Sequence, residues 1–204
     1  MPGVINQGPG NQWGICGFVG VLNALHQQGK LKEFGQELST ASVNQRVGPE
    51  VITYLKMRSV EKPEITDAIL AFTKSFGTPY DQYRTIGEIC DDIAAAVRSG
   101  QGTIGVAMPL EAIEDYVAWV GLKASRRPAS TTFTAASLLQ YKGCIVGCGR
   151  GAKAPPYYGL KHWVYVDPAG NLLNWGTSID LTKNALPQNV AGAFAYVPYA
   201  VHLA

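Results

Sequence analysis

Helices first and an antiparallel sheet second is the fold class that the sequence predicts: a single α+β domain over residues 1–204, helical to about residue 141 and built of strands from about residue 142. Three observations carry this. Apolar residues recur at the helix period through the first two thirds. The run "GCIVGCG" (143–149) and the stretch "HWVYVDPAGNLLNWG" (162–176) then read as strands and a hairpin. At 47% hydrophobic and 16% charged residues, the chain has enough apolar side chains to build one sizeable core.

The first helix starts at Cys16, behind the glycine-rich "GNQWGI", and carries Phe18, Val21, Leu22 and Leu25 at helical spacing before Gly29. Residues 48–61 and 65–76 supply two more, the second with Ile65, Ile69, Phe72 and Phe76 on one face. Residues 85–100 have a start and a stop. Thr85 and Glu88 form a capping-box pattern, Ile86, Ile89, Cys90, Ile93 and Val97 make the stripe, and Gly100 follows. "GTIGVAM" (102–108) reads as a buried strand. Pro109 opens a helix with Leu110, Ile113, Val117 and Val120 on one side. Residues 123–132 read as a loop and 134–141 as a short helix. Strand 143–149, a Gly/Pro-rich loop (150–161), the hairpin and a final strand (192–201) complete the chain.

Charge and composition exclude several functions. A net charge of +2 without a lysine or arginine cluster argues against nucleic acid and against a membrane surface. No apolar run reaches the length of a membrane span. "MPGVINQGPG" has neither the basic nor the apolar region of a signal peptide, so the expectation is a cytoplasmic protein or one exported without a cleavable signal. "GCGRG" (147–151) lacks the helix and Lys-Ser/Thr of a phosphate loop. Cys16, Cys90, Cys144 and Cys148 match no disulfide scaffold, and three histidines with no Cys-x-x-Cys give no zinc site. All four thiols are expected reduced, with Cys90 in the core and Cys144 and Cys148 on one strand face.

Cys16 is the exception in its position. A helix N-terminus favours negative charge, so a thiol there ionises more readily. Nucleophilic thiol chemistry also needs a histidine. His26 is ten residues down the same helix, about 15 Å away along the axis. His202 lies two residues before residue 204, where anchoring is not expected. His162 remains. A Pro-Ala-Gly turn with a bulge at Gly170 aligns Asp167 with Asn171, Val164 with Asn174 and His162 with Gly176. His162 and Asn174 then share a face on a diagonal that long side chains span. Asp167 falls on the wrong face. Asp180 is the alternative third group.

The cysteine at a helix start, the histidine opening a strand in "KHWVYV", and "NWG" (174–176) resemble the papain-like cysteine peptidase superfamily. The order Gln, Cys, His, Asn matches as well. The resemblance implies a papain-like fold: an N-terminal helical lobe led by the nucleophile helix and a C-terminal antiparallel sheet lobe. It implies a Cys16–His162–Asn174 triad with Gln12 in the oxyanion hole, and Gln7 as the alternative donor. Gln12 is closer to the cysteine than is usual in the family, Asn174 abuts Trp175 directly, and the His-to-Asn interval of twelve is short. "INQG…CG" with "KHWVYV" is similar to compact bacterial members that act as secreted effectors or toxins. The expected function is hydrolysis of an amide bond as protease, deamidase or amidase. No metal or organic cofactor is implied. The expected partner is a protein or peptide-like substrate, with a monomeric enzyme and a cognate inhibitor protein. The rival reading is a catalytically silent papain-like module that binds a partner protein. Acyl transfer to an amine is a third. Trp13, Trp163 and Trp175 either wall a groove or pack in the core, with core packing expected for at least two.

Overall fold

The computed structural model describes residues 3–8, 13–33, 36–183 and 185–204. Helix α1 (Cys16–Gln27) is followed by a small hairpin, β1 (Lys32–Glu33) with β2 (Gln36–Glu37), and by α2 (Thr40–Glu61), α3 (Pro63–Lys74), α4 (Ile86–Ser99) and α5 (Leu110–Trp119). Among the described residues, six strands form an antiparallel sheet in the order β3-β8-β4-β5-β6-β7. These are β3 (Ala124–Arg127), β4 (Cys144–Gly149), β5 (Leu160–Val166), β6 (Asn171–Asn174), β7 (Thr177–Asp180) and β8 (Ala200–Leu203). Short helices α6 (Ala135–Leu138) and α7 (Gln188–Ala191) complete a mixed α+β fold.

The sheet is covered on both faces. Ile145, Trp163, Tyr165 and Leu173 join the large core under α1 to α5. Cys144, Val146, Cys148, Val164 and Leu172 join a second core under α6 and Val190. Alternation along β4 and β5 therefore divides one sheet between two cores, which is why these strands are apolar almost throughout.

Local chemistry explains several boundaries. Thr85 caps α4 by accepting the Glu88 N–H at 3.2 Å, but the Glu88 carboxylate accepts from the Arg84 N–H instead of closing the box on Thr85. Thr85→Ala is expected to lower stability by about 1 kcal/mol in urea unfolding. A reciprocal capping box is found instead between Thr134 and Ser137. Helix α2 starts at Thr40, eight residues ahead of the expected 48, and runs through Pro49. Ser39 caps it, and Val43, Val47 and Val51 are buried on one stripe across the proline. That burial outweighs the single hydrogen bond the proline removes.

Five expectations fail for reasons of tertiary pairing. Residues 102–108 are buried in part but form one bridge, Gly105 with Gly14, in place of a strand. Thr73 Oγ1 takes the Ala107 N–H at 2.9 Å and ends the pairing there. The predicted loop 123–132 contains β3, four exposed residues that pair with β8 and so carry the sheet into the part expected to be helical. Its Arg126 makes a bidentate ion pair with Glu114 of α5 at 2.6 and 2.7 Å. The last strand starts at Ala200, not 192, because Pro198 donates no ladder bond. Val97 is 40% exposed, so the α4 stripe ends earlier than expected. Phe76 lies beyond α3 and is 37% exposed.

Candidate active site

Helix α1 has no side-chain cap. Ile15 occupies the N-cap and its side chain offers no acceptor, so the cap itself takes none of the first-turn N–H groups. Cys16 is the first helical residue and is half-buried. The helix lies close against the sheet because residue 20 is glycine: a Cβ there would stand 2.8 Å from Ile145 Cδ1. Gly20→Ala is therefore expected to push α1 off β4 and β5 and to destabilise the protein by about 1–3 kcal/mol, measurable by urea unfolding.

His162 is the third residue of β5, directly across from Cys148 on β4. Beyond Leu173 the strand β6 no longer pairs with β5. The outer edge of β5 is thereby left open, and the Trp163 N–H points from it to Cys16 Sγ at 3.4 Å. The Trp163 indole N–H donates to the Met108 carbonyl at 2.8 Å and ties that strand end to the segment leading into α5.

The turn register matches expectation: Tyr165 pairs with Leu173, Val166 with Leu172, and the Asp167 N–H donates to the Asn171 carbonyl at 2.9 Å. Strand β6 then stops at Asn174, short of the expected Gly176. Trp175 (φ 46°) and Gly176 (φ 71°) make a two-residue turn into β7, with Asn174 paired to Thr177. A bulky residue at positive φ is strained. Here the strain sets the Trp175 ring 5.0 Å from the His162 ring. Phe194 stacks on His162 at 5.6 Å. The buried His162 Nε2–H donates to Asn174 Oδ1 at 2.7 Å, which leaves Nδ1 for the thiol.

The environments of the four thiols sort them. Burial pushes the Cys16 thiol up, but the adjacent His162 imidazole and the Trp163 and Gly17 N–H groups outweigh it, and the net shift is downward. Burial alone pushes His162 down, while the Cys16 thiolate and the Asn174 hydrogen bond turn the net shift upward. Burial raises Cys90, takes Cys144 up to about 11, and lifts Cys148 well above the ordinary range. Among the described cysteines, Cys16 alone is shifted downward, and the group beside it, His162, is shifted upward.

The remaining candidates fall elsewhere. Asp180 is half-buried at the end of β7 and bonds Thr182 and Lys183. His26 is buried, with Nε2 at 3.0 Å from Thr40 Oγ1. His202 is anchored on β8 opposite Cys144, four residues of β4 and about 13 Å from His162's partner Cys148. Gln12 and Asn11 lie outside the described residues. Gln7 is buried, and its carbonyl accepts the Trp13 N–H at 2.9 Å. Trp13 and Trp163 are core residues, whereas Trp175 is half-buried beside His162.

Sequence reasoning missed the cavity of about 150 Å³ that opens beside Cys16 and His162. Phe76, Tyr80, Gly105, Val106, Ala107 and Lys161 line it, drawn from four separate segments. Only Lys161, the neighbour of His162, signals it in the sequence. Among the described residues, no group of three His, Cys, Asp or Glu is placed to hold a metal ion, and no helix is long and apolar enough to cross a membrane. No family model matches the chain, and neither the curated proteins nor the solved structures yield a significant match.

Proposed function

We propose that the protein is a papain-like thiol hydrolase that cleaves an amide bond, as protease, deamidase or amidase. One observation carries the reading: a helix-start thiol shifted down beside a buried histidine shifted up, the histidine held through its other nitrogen by Asn174 at 2.7 Å. A structural cysteine buried in apolar surroundings shifts the other way, as Cys90 and Cys148 do.

In this reading the Cys16 thiolate attacks the amide carbonyl carbon and the carbonyl electrons move to oxygen. The Cys16 N–H at the uncapped start of α1 stabilises that oxyanion, with Gln12 as the side-chain donor. The C–N bond breaks as the His162 imidazolium gives its proton to the leaving nitrogen. A thioester remains. Water attacks it while His162 takes the water proton, and the acid and the thiolate are released. Asn174 touches no reacting atom in this scheme; it is a positioning residue that holds the ring.

The test is the rate of alkylation of each cysteine by chloroacetamide as pH is varied, read by peptide mass spectrometry. Cys16 should react fast well below pH 8.5, the ordinary thiol range, and the three buried thiols should not. His162→Ala leaves the burial penalty with only backbone donors to oppose it, so the Cys16 pKa should rise and the low-pH reactivity should vanish. A titration indifferent to His162 would overturn the enzyme reading and favour a silent binding module.

The expected pH–activity curve is a bell. Below the lowered thiol pKa the nucleophile is protonated, and above the raised imidazole pKa the leaving group lacks its acid. Asn174→Ala removes a bond that holds His162 up, so the alkaline limb should move to lower pH while kcat falls about 10²-fold.

A further inference from the structure

The cavity beside Cys16 is shaped for a particular substrate side chain. Phe76, Tyr80, Val106 and Ala107 give it a largely apolar lining. At about 150 Å³ it is half the size of the smallest drug-binding pockets, which is room for one side chain. Gly105 is what keeps it open. A Cβ on residue 105 would stand 2.4 Å from Tyr80 Cε1, so any side chain there displaces the Tyr80 ring that lines the cavity.

Lys161 stands at the rim. It is exposed, its Nζ lies 5.1 Å from the centre of the Phe76 ring, and it has no ion-pair partner among the described residues. No Asp or Glu lines the cavity. A cation resting on an aromatic face, with no carboxylate to neutralise it, is a preformed contact for an incoming anion.

Resting on the hydrolase reading above, we propose that this slot determines substrate choice: it takes a compact apolar side chain, and Lys161 takes an acidic side chain on the adjoining residue. The preferred substrate is thus a peptide segment with Leu-like and Asp- or Glu-like residues side by side at the scissile bond. Lys161 and Gly105 are the specificity-determining positions.

Peptidyl chloromethyl ketones test this without requiring turnover, because the thiolate displaces chloride and the labelling of Cys16 is read directly. The probes carry Leu with Asp, Leu with Lys, or Gly with Asp at the two residues nearest the warhead, in both orders. Rates are compared only as ratios within one protein, which cancels any change in thiol reactivity. In the wild type, Asp should be favoured over Lys about fivefold in at least one order, falling with added salt. Lys161→Glu should invert that ratio. Leu should be favoured over Gly about tenfold, and Gly105→Ala should bring this ratio close to one. Ratios near one in the wild type, or an Asp/Lys ratio unmoved in Lys161→Glu, would overturn the proposal while chloroacetamide still labels Cys16 below pH 7. Failure of that small reagent to label Cys16 would instead overturn the hydrolase reading and this inference with it.

Discussion

Under the proposed thiol-hydrolase function, Cys16→Ala is expected to abolish amide hydrolysis, a loss on the order of 10⁴-fold or more, while the protein stays folded. The side chain is small and half-buried, and the Trp163 N–H reaches it from a strand edge at 3.4 Å, so removing it opens little space. The loss should appear entirely in kcat, with circular dichroism unchanged. The same variant carries a second, independent readout. The thiolate is the chief group holding the His162 imidazole up against burial. Without it burial prevails, and the His162 pKa should fall, observable as an NMR titration midpoint moved to lower pH. A His162 midpoint that does not move would show that the two side chains do not interact.

Asp115→Ala is expected to have the largest effect on stability, a loss of about 3–5 kcal/mol in urea unfolding at pH 7. Its carboxylate is buried on α5, accepts from Arg58 Nε at 2.7 Å and Tyr54 Oη at 3.0 Å, and pairs with Lys62, all three at or just beyond α2. Alanine leaves the buried Arg58 cation without that acceptor and the Tyr54 hydroxyl with only the longer contact to the Ala112 carbonyl at 3.5 Å. Tyr54 also packs edge-on against Phe18 of α1 and Tyr116 of α5, so the α2–α5 clamp supports the helix that carries Cys16. Burial raises the Asp115 pKa, but Lys62, Tyr54 and Arg58 together lower it below its ordinary value. A carboxylate with a depressed folded pKa contributes fully above its unfolded value of about 3.9 and loses that contribution as pH falls through the folded value. The gap between wild type and Asp115→Ala should therefore hold at pH 7 and shrink below pH 4. A gap independent of pH would assign the clamp to packing alone.

Parts of the fold and of the site were legible before any coordinates. The helix stripes of α1 and α4 were readable because burial on one face repeats at the helix period. The hairpin register was readable because Asp-Pro-Ala-Gly allows few turns, and that register alone placed His162 and Asn174 on one face. What escaped were pairings between distant segments. The exposed strand β3 has no apolar alternation; it is a strand because β8 presents a free edge to it. The turn at Trp175 was hidden because a tryptophan at positive φ runs against its own preference, and packing against His162 and Phe194 compensates.

The sequence by itself determined that the chain is helices followed by a sheet, that one thiol stands at a helix mouth, and that one histidine and one asparagine share a hairpin face. These follow from interactions within about a dozen residues, which neighbouring side chains and turn chemistry settle. Tertiary structure alone decided that the thiol meets the histidine. That contact closes across 146 positions between residues 16 and 162. It depends on Gly20 letting α1 approach the sheet, on β6 turning away after Asn174, and on the Trp163 N–H left free to face the sulfur. The shifts of the two groups in opposite directions are likewise a tertiary property, because a pKa responds to charges and burial in space and not to neighbours in the chain.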